Sequence, residues 1–77
     1  MQAVIKMLFA RIRDLREDKD EKQKNVADYL GIKQTTYSKY ELGRINIPIE
    51  MLIKLADYYN VSLDYLVGRS QNPNRLE

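Results

Sequence analysis

The sequence has 77 residues, 44% of them hydrophobic and 31% charged, enough to close one small core but too few to add a deep catalytic cleft. It contains neither cysteine nor histidine, which excludes disulfides and thiolate or imidazole metal sites and leaves Ser38, Ser62 and Ser70 without a histidine to activate them. The formal net charge of +2 suits a nucleic-acid ligand without deciding for one.

The apolar runs are short and broken by Lys, Arg and Asp, so neither a membrane span nor a signal-peptide core is expected. These features describe a cytoplasmic protein with no membrane association, no cofactor and no enzymatic activity. Asp14, Glu17 and Asp18 read as a solvated helix face rather than a carboxylate site.

Apolar residues recur at three- and four-residue spacing, so the chain reads as five helices and no strand. Ile5, Leu8, Phe9, Ile12 and Leu15 form the inner stripe of a first helix ending near Asp18, with Lys6, Arg11, Arg13, Asp14 and Glu17 on the other side. A charged connector, Asp18 to Lys22, leads to a second helix from Gln23 to Leu30, whose inner residues are Val26, Ala27 and Leu30. Gly31 ends it, because glycine takes the left-handed conformation without a side-chain penalty. A third helix follows from Gln34 to about Leu42, with Tyr37 and Tyr40 inward and Gly43 as its stop. Pro48 opens a fourth helix that runs to about Tyr59, and its inward positions are predicted as Ile49, Leu52, Ile53, Leu55, Ala56 and Tyr59. Asn60 is placed as a left-handed cap, and Ser62 as the N-cap of a short fifth helix carrying Leu63, Leu66 and Val67 before Gly68. Residues 1–68 thus form one domain, and the polar segment 69–77 is expected to be a flexible tail.

The segment Gln23 to Leu42, QKNVADYLGIKQTTYSKYEL, places two short helices around a glycine turn. Two helices crossing steeply need a small residue where the backbones approach, here Ala27, and a turn residue tolerant of positive φ, here Gly31. They also need apolar residues facing a shared core, and Val26, Leu30, Ile32, Tyr37 and Tyr40 fill those places. With RIRDLRE before it, NVADYLGI and YSKYELGR within it, and MLIKLADYYNVSLDYLVG after it, the chain resembles the phage-repressor and Cro type of helix-turn-helix family. The likeness runs from about Leu8 to Gly68. It implies an all-α, compact five-helix, lambda-repressor-like DNA-binding domain. Its third helix would enter the major groove of a double-stranded operator, usually as a homodimer, to regulate transcription and most often to repress it.

Independently of that resemblance, turning Tyr37 and Tyr40 inward leaves Gln34, Thr35, Ser38 and Lys39 on the outer face. These side chains suit base edges: Gln pairs with adenine, Thr offers a methyl to thymine, and Lys reaches guanine O6 or N7. The resemblance assigns phosphate contact to Gln23 at the start of the second helix, and to Lys33, Thr36, Arg44 and Asn46 at the ends of the third. It also pairs Arg16 with Glu41 as a structural salt bridge. The connector departs from the family pattern, since Asp20, Glu21 and Lys22 replace the usual glycine, apolar residue and hydroxyl cap, and two acids near a phosphate site weaken affinity. A second copy is expected to cover Leu63, Leu66 and Val67. The competing reading is a protein-interaction module on the same fold, such as an antitoxin with a protein partner.

Overall fold

The computed structural model describes the backbone of residues 2–75 and the side chains of residues 8–75. It contains α1 (Gln2–Asp18), α2 (Gln23–Leu30), α3 (Gln34–Glu41), α4 (Ile49–Tyr59) and α5 (Leu63–Leu66), with no strand among the described residues. The side chains of Ile5 and Lys6 lie outside the described residues, as do Leu76 and Glu77.

Each helix stops in the same way. After α2, the Gly31 N–H donates to Asp28 O (3.1 Å) and the Ile32 N–H to Ala27 O (3.0 Å), with Gly31 at φ 73°. After α3, the Gly43 N–H donates to Tyr40 O (3.1 Å) and the Arg44 N–H to Lys39 O (2.9 Å). Asp20 after α1, Asn60 after α4 and Gly68 after α5 repeat this paired closure, all at positive φ. It satisfies carbonyls that a helix end otherwise leaves open. At the amino ends the pattern is weaker. Among the described residues only Ser62 caps with its side chain, accepting from the Tyr65 N–H at 3.0 Å. Pro48 is the N-cap of α4, one residue before the first-turn position expected of it.

The core lies between α3 packed on α1 and α2 and α4 packed on α5 and α2, with α5 also meeting α1, and it is built from Ile12, Val26, Ala27, Leu30, Tyr37, Tyr40, Leu55, Ala56, Tyr59 and Leu66. Tyr37 and Tyr40 meet edge to face, their ring centroids 6.3 Å apart, an arrangement favoured by the ring quadrupoles. Two expectations fail at α4. Ile49 and Ile53 are 62% and 49% exposed, because six apolar residues on eleven make an arc wider than the neighbouring helices cover. A third concerns Leu66, which is fully buried within the chain and therefore is not surface for a second copy.

Arg11, expected on the outer face of α1, instead reaches α5. Its guanidinium donates to Tyr65 O at 2.7 Å and lies over the Tyr65 ring, 4.0 Å from the centroid, so its stem packs while its charge is satisfied. Residues 69–75 carry no helix, yet they return along α4 and α5. The Ser62 N–H donates to Pro73 O (2.9 Å), and Arg75 pairs with Asp57 (2.6 Å).

Gly43 is constrained twice, by φ 70° and by Phe9 of α1, whose Cδ2 would stand 2.8 Å from an added Cβ. Gly31 has a similar φ but open space around it. Gly31→Ala is therefore expected to cost about 1 kcal/mol and Gly43→Ala about 2–3 kcal/mol, since the ring must also move. Thermal melts check this, each kcal/mol lowering the midpoint by about 4–8 °C. Equal shifts in the two variants would contradict the Phe9 packing.

Candidate nucleic-acid interface

α2 and α3 form the two arms of the motif, and the residues that hold them together set what α3 presents outward. Tyr37 and Tyr40 are buried on the inner side of α3, so at 100° per residue Thr35 occupies the centre of the outer side. Gln34, Thr35 and Lys39 are exposed there, while Ser38 and Thr36 are half-buried at its edges. Lys33 is the N-cap of α3 and exposed, and Arg44 and Asn46 are exposed in the loop that follows.

Gln23 is half-buried and its side chain is already engaged, the Nε2 donating to Glu41 Oε1 at 3.0 Å. The same carboxylate receives Arg16, through Nε to Oε2 at 2.7 Å and Nη2 to Oε1 at 3.1 Å. Arg16 also donates from Nη1 to Glu21 O (3.0 Å). One nearly buried acid therefore ties α1, the connector, α2 and the end of α3 together; the Glu41 side chain is 4% exposed and that of Arg16 14%. Burial alone would push the Glu41 carboxyl up, but the Arg16 guanidinium and its other polar neighbours outweigh this and hold it below the usual carboxylate range. Fork-to-fork pairing of this kind fixes orientation as well as charge.

The connector acids behave differently from each other. Glu21 turns toward α4, its carboxylate accepting from Tyr58 Oη (2.8 Å) and Asn25 Nδ2 (3.0 Å). Those two hydrogen bonds, Asn25 first, hold its carboxyl below the ordinary value. The missing cap and staple are thus replaced by a clasp from connector to α4, which no local sequence signal announces. Asp20 is exposed at φ 53°. Lys22, the N-cap of α2, offers no side-chain cap.

The cations around the outer face of α3 are free to meet a ligand. Lys22, Lys33, Lys39 and Arg44 are exposed and make no ion pair among the described residues, whereas Lys24 is held by Asp28 at 3.0 Å. No cluster of potential metal ligands occurs among the described residues, and no helix there is long and apolar enough to cross a membrane.

Comparison with known proteins agrees with this geometry. The cryptic phage CTXphi transcriptional repressor RstR of Vibrio cholerae is 38% identical over 65 residues, 84% of this chain and 59% of the relative. The HTH-type transcriptional regulator AnsR of Bacillus subtilis is 38% identical, covering 84% of this chain and 56% of the relative. ImmR, an HTH-type transcriptional regulator of the same organism, is 34% identical over 91% of this chain and 55% of its own length. The chain thus spans little more than half the length of these relatives. No solved structure matches it. The family description "Helix-turn-helix" matches residues 12–66, and with these relatives it shows that the chain belongs to the helix-turn-helix family of the phage-repressor and Cro type.

Proposed function

We propose that the protein is a cytoplasmic transcriptional regulator, a repressor in its main action, that binds an operator in double-stranded DNA as a homodimer with α3 in the major groove. The observation that carries this reading is the outer face of α3. Gln34, Thr35, Ser38 and Lys39 share it, on a short helix anchored from behind by Tyr37, Tyr40 and the Glu41 network. A rigid support is what base reading requires, because hydrogen bonds to base edges discriminate only when the donors cannot wander.

In this reading Gln34 pairs with adenine, Thr35 packs its methyl on thymine, Ser38 adds a hydrogen bond at the rim and Lys39 reaches guanine. Gln23, Lys33, Thr36, Arg44 and Asn46 hold phosphates. The uncapped amino end of α2 directs N–H groups and the positive pole of its dipole toward one of them. The domain measures 30 × 26 × 22 Å, so two copies in contact suit half-sites about 34 Å apart, one turn of DNA. Repression is supported by the printed name of the Vibrio relative.

Two substitutions separate base reading from phosphate contact. Gln34→Ala is expected to cost about 1–3 kcal/mol on the preferred duplex and to relax discrimination at one base pair, with random DNA bound as before. Arg44→Ala is expected to weaken all duplexes alike and to reduce the log-log salt slope by about one unit per half-site. Titrations of both variants against preferred and scrambled duplexes at several salt concentrations give the result. Equal weakening of both duplexes by Gln34→Ala would remove α3 from the reading role.

A further inference from the structure

α4 carries more apolar surface than the core uses. Ile49 and Ile53 stand one turn apart on its outer flank, and the chain leading to them exposes Leu42, the cap of α3, and Ile45. The four are between 39% and 62% exposed. A single exposed isoleucine is ordinary in a small domain, but two large aliphatic side chains together on one helix flank mark surface that a partner covers.

The charges beside this surface indicate which partner. Glu50 and Lys54 are exposed, one turn apart on α4, and they make no ion pair with each other or with any other described residue. Lys24 and Asp28 at the same spacing do pair. Asp57, the next carboxylate along this face, is already neutralised by Arg75.

An acid followed one turn later by a base is self-complementary when the helix meets its own antiparallel copy. A two-fold axis crossing α4 at the height of Met51 and Leu52 sets Ile49 of one copy against Ile53 of the other, and Glu50 against Lys54. The apolar pair and the charged pair have nearly the same midpoint along the helix, so a single axis serves both. A second copy of this chain brings both complements already in register.

We infer that the face formed by Ile49, Ile53, Glu50 and Lys54 is the homodimer interface, with the two α4 helices antiparallel. The inference rests on the homodimer named under the proposed function and moves its interface from α5 to α4.

Sedimentation velocity over a micromolar to high-micromolar range tests it without DNA, so the result stands whether or not duplex binding holds. The unaltered chain is expected to dimerise reversibly. Ile53→Asp is expected to weaken dimerisation by roughly tenfold or more, and Glu50→Lys to weaken it comparably by setting like charges opposite each other twice. The double variant Glu50→Lys with Lys54→Glu recovers the dimer, because the pair is restored with its signs exchanged. The three substituted positions are exposed, so far-UV circular dichroism melts should match the unaltered chain, and binding to a duplex with one half-site should persist in Ile53→Asp. A strictly monomeric chain would overturn the inference, as would a dimer untouched by Ile53→Asp and Glu50→Lys or a double variant no better than the single one. Loss of half-site binding in the unaltered chain would instead overturn the DNA reading.

Discussion

Glu41→Ala is expected to remove about 3–5 kcal/mol of stability, most of what a domain of this size possesses. The substitution leaves the Arg16 guanidinium, only 14% exposed, without the carboxylate that receives two of its hydrogen bonds. It also frees the Gln23 amide, so α1 and α2 both lose their hold on the end of α3. Replacing Arg16 and Glu41 together by methionine and leucine should cost much less, since an apolar pair leaves no buried charge behind. Urea titrations of the single and double variants measure this, and equal losses would contradict a buried ionic link. The same carboxylate sets a pH dependence. Its folded value lies below the ordinary 4.5, so the folded chain binds fewer protons than the unfolded one in that range. The associated stability is present above pH 4.5 and lost as pH falls through the lowered value. Glu41→Gln should flatten that part of the stability curve.

Tyr37→Ala is expected to destabilise by about 3 kcal/mol or more, because it empties the largest fully buried position in the core. Tyr37→Phe should behave differently. The Tyr37 and Tyr59 hydroxyls lie close together and near Glu41, yet neither makes a hydrogen bond of good geometry among the described residues. Burial pushes both phenols above their ordinary range. Tyr37→Phe keeps the ring and removes only the hydroxyl, so it is expected to cost far less than Tyr37→Ala. Thermal unfolding of the two variants decides the matter. A large loss in Tyr37→Phe would mean that its hydroxyl is bonded after all.

Much of this architecture is legible because local chemistry and tertiary packing agree. Gly31, Gly43 and Asn60 tolerate positive φ, Ser62 offers a cap, and Tyr37 and Tyr40 are three apart, so helix ends and the inner face of α3 follow from residue type alone. Asp20 shows the limit. It closes α1 at φ 53°, a role that aspartate fills too seldom to be read in advance.

The larger miss, Ile49 and Ile53, has a different origin. Periodicity reports which residues avoid water, and it does not distinguish burial in the same chain from burial against another. The resemblance named the Arg16–Glu41 pair, which the structure shows, but other long-range polar contacts were hidden. Arg11 to Tyr65 and Glu21 to Tyr58 join residues 54 and 37 apart in sequence, and no local pattern encodes such partners. The outer face of α3 was legible for a simple reason: fixing two inward tyrosines on a helix determines what is left outside.

That α3 reads base edges is tested most directly by selecting bound sequences from a pool of random DNA duplexes. A homodimer with Gln34, Thr35, Ser38 and Lys39 in the groove should enrich a two-fold symmetric consensus whose half-sites are centred about one helical turn apart. Repeating the selection with Gln34→Ala should erase preference at one position of each half-site and leave the spacing unchanged. Recovery of an unenriched pool, or of the same consensus from the Gln34→Ala chain, would contradict a reading role for α3.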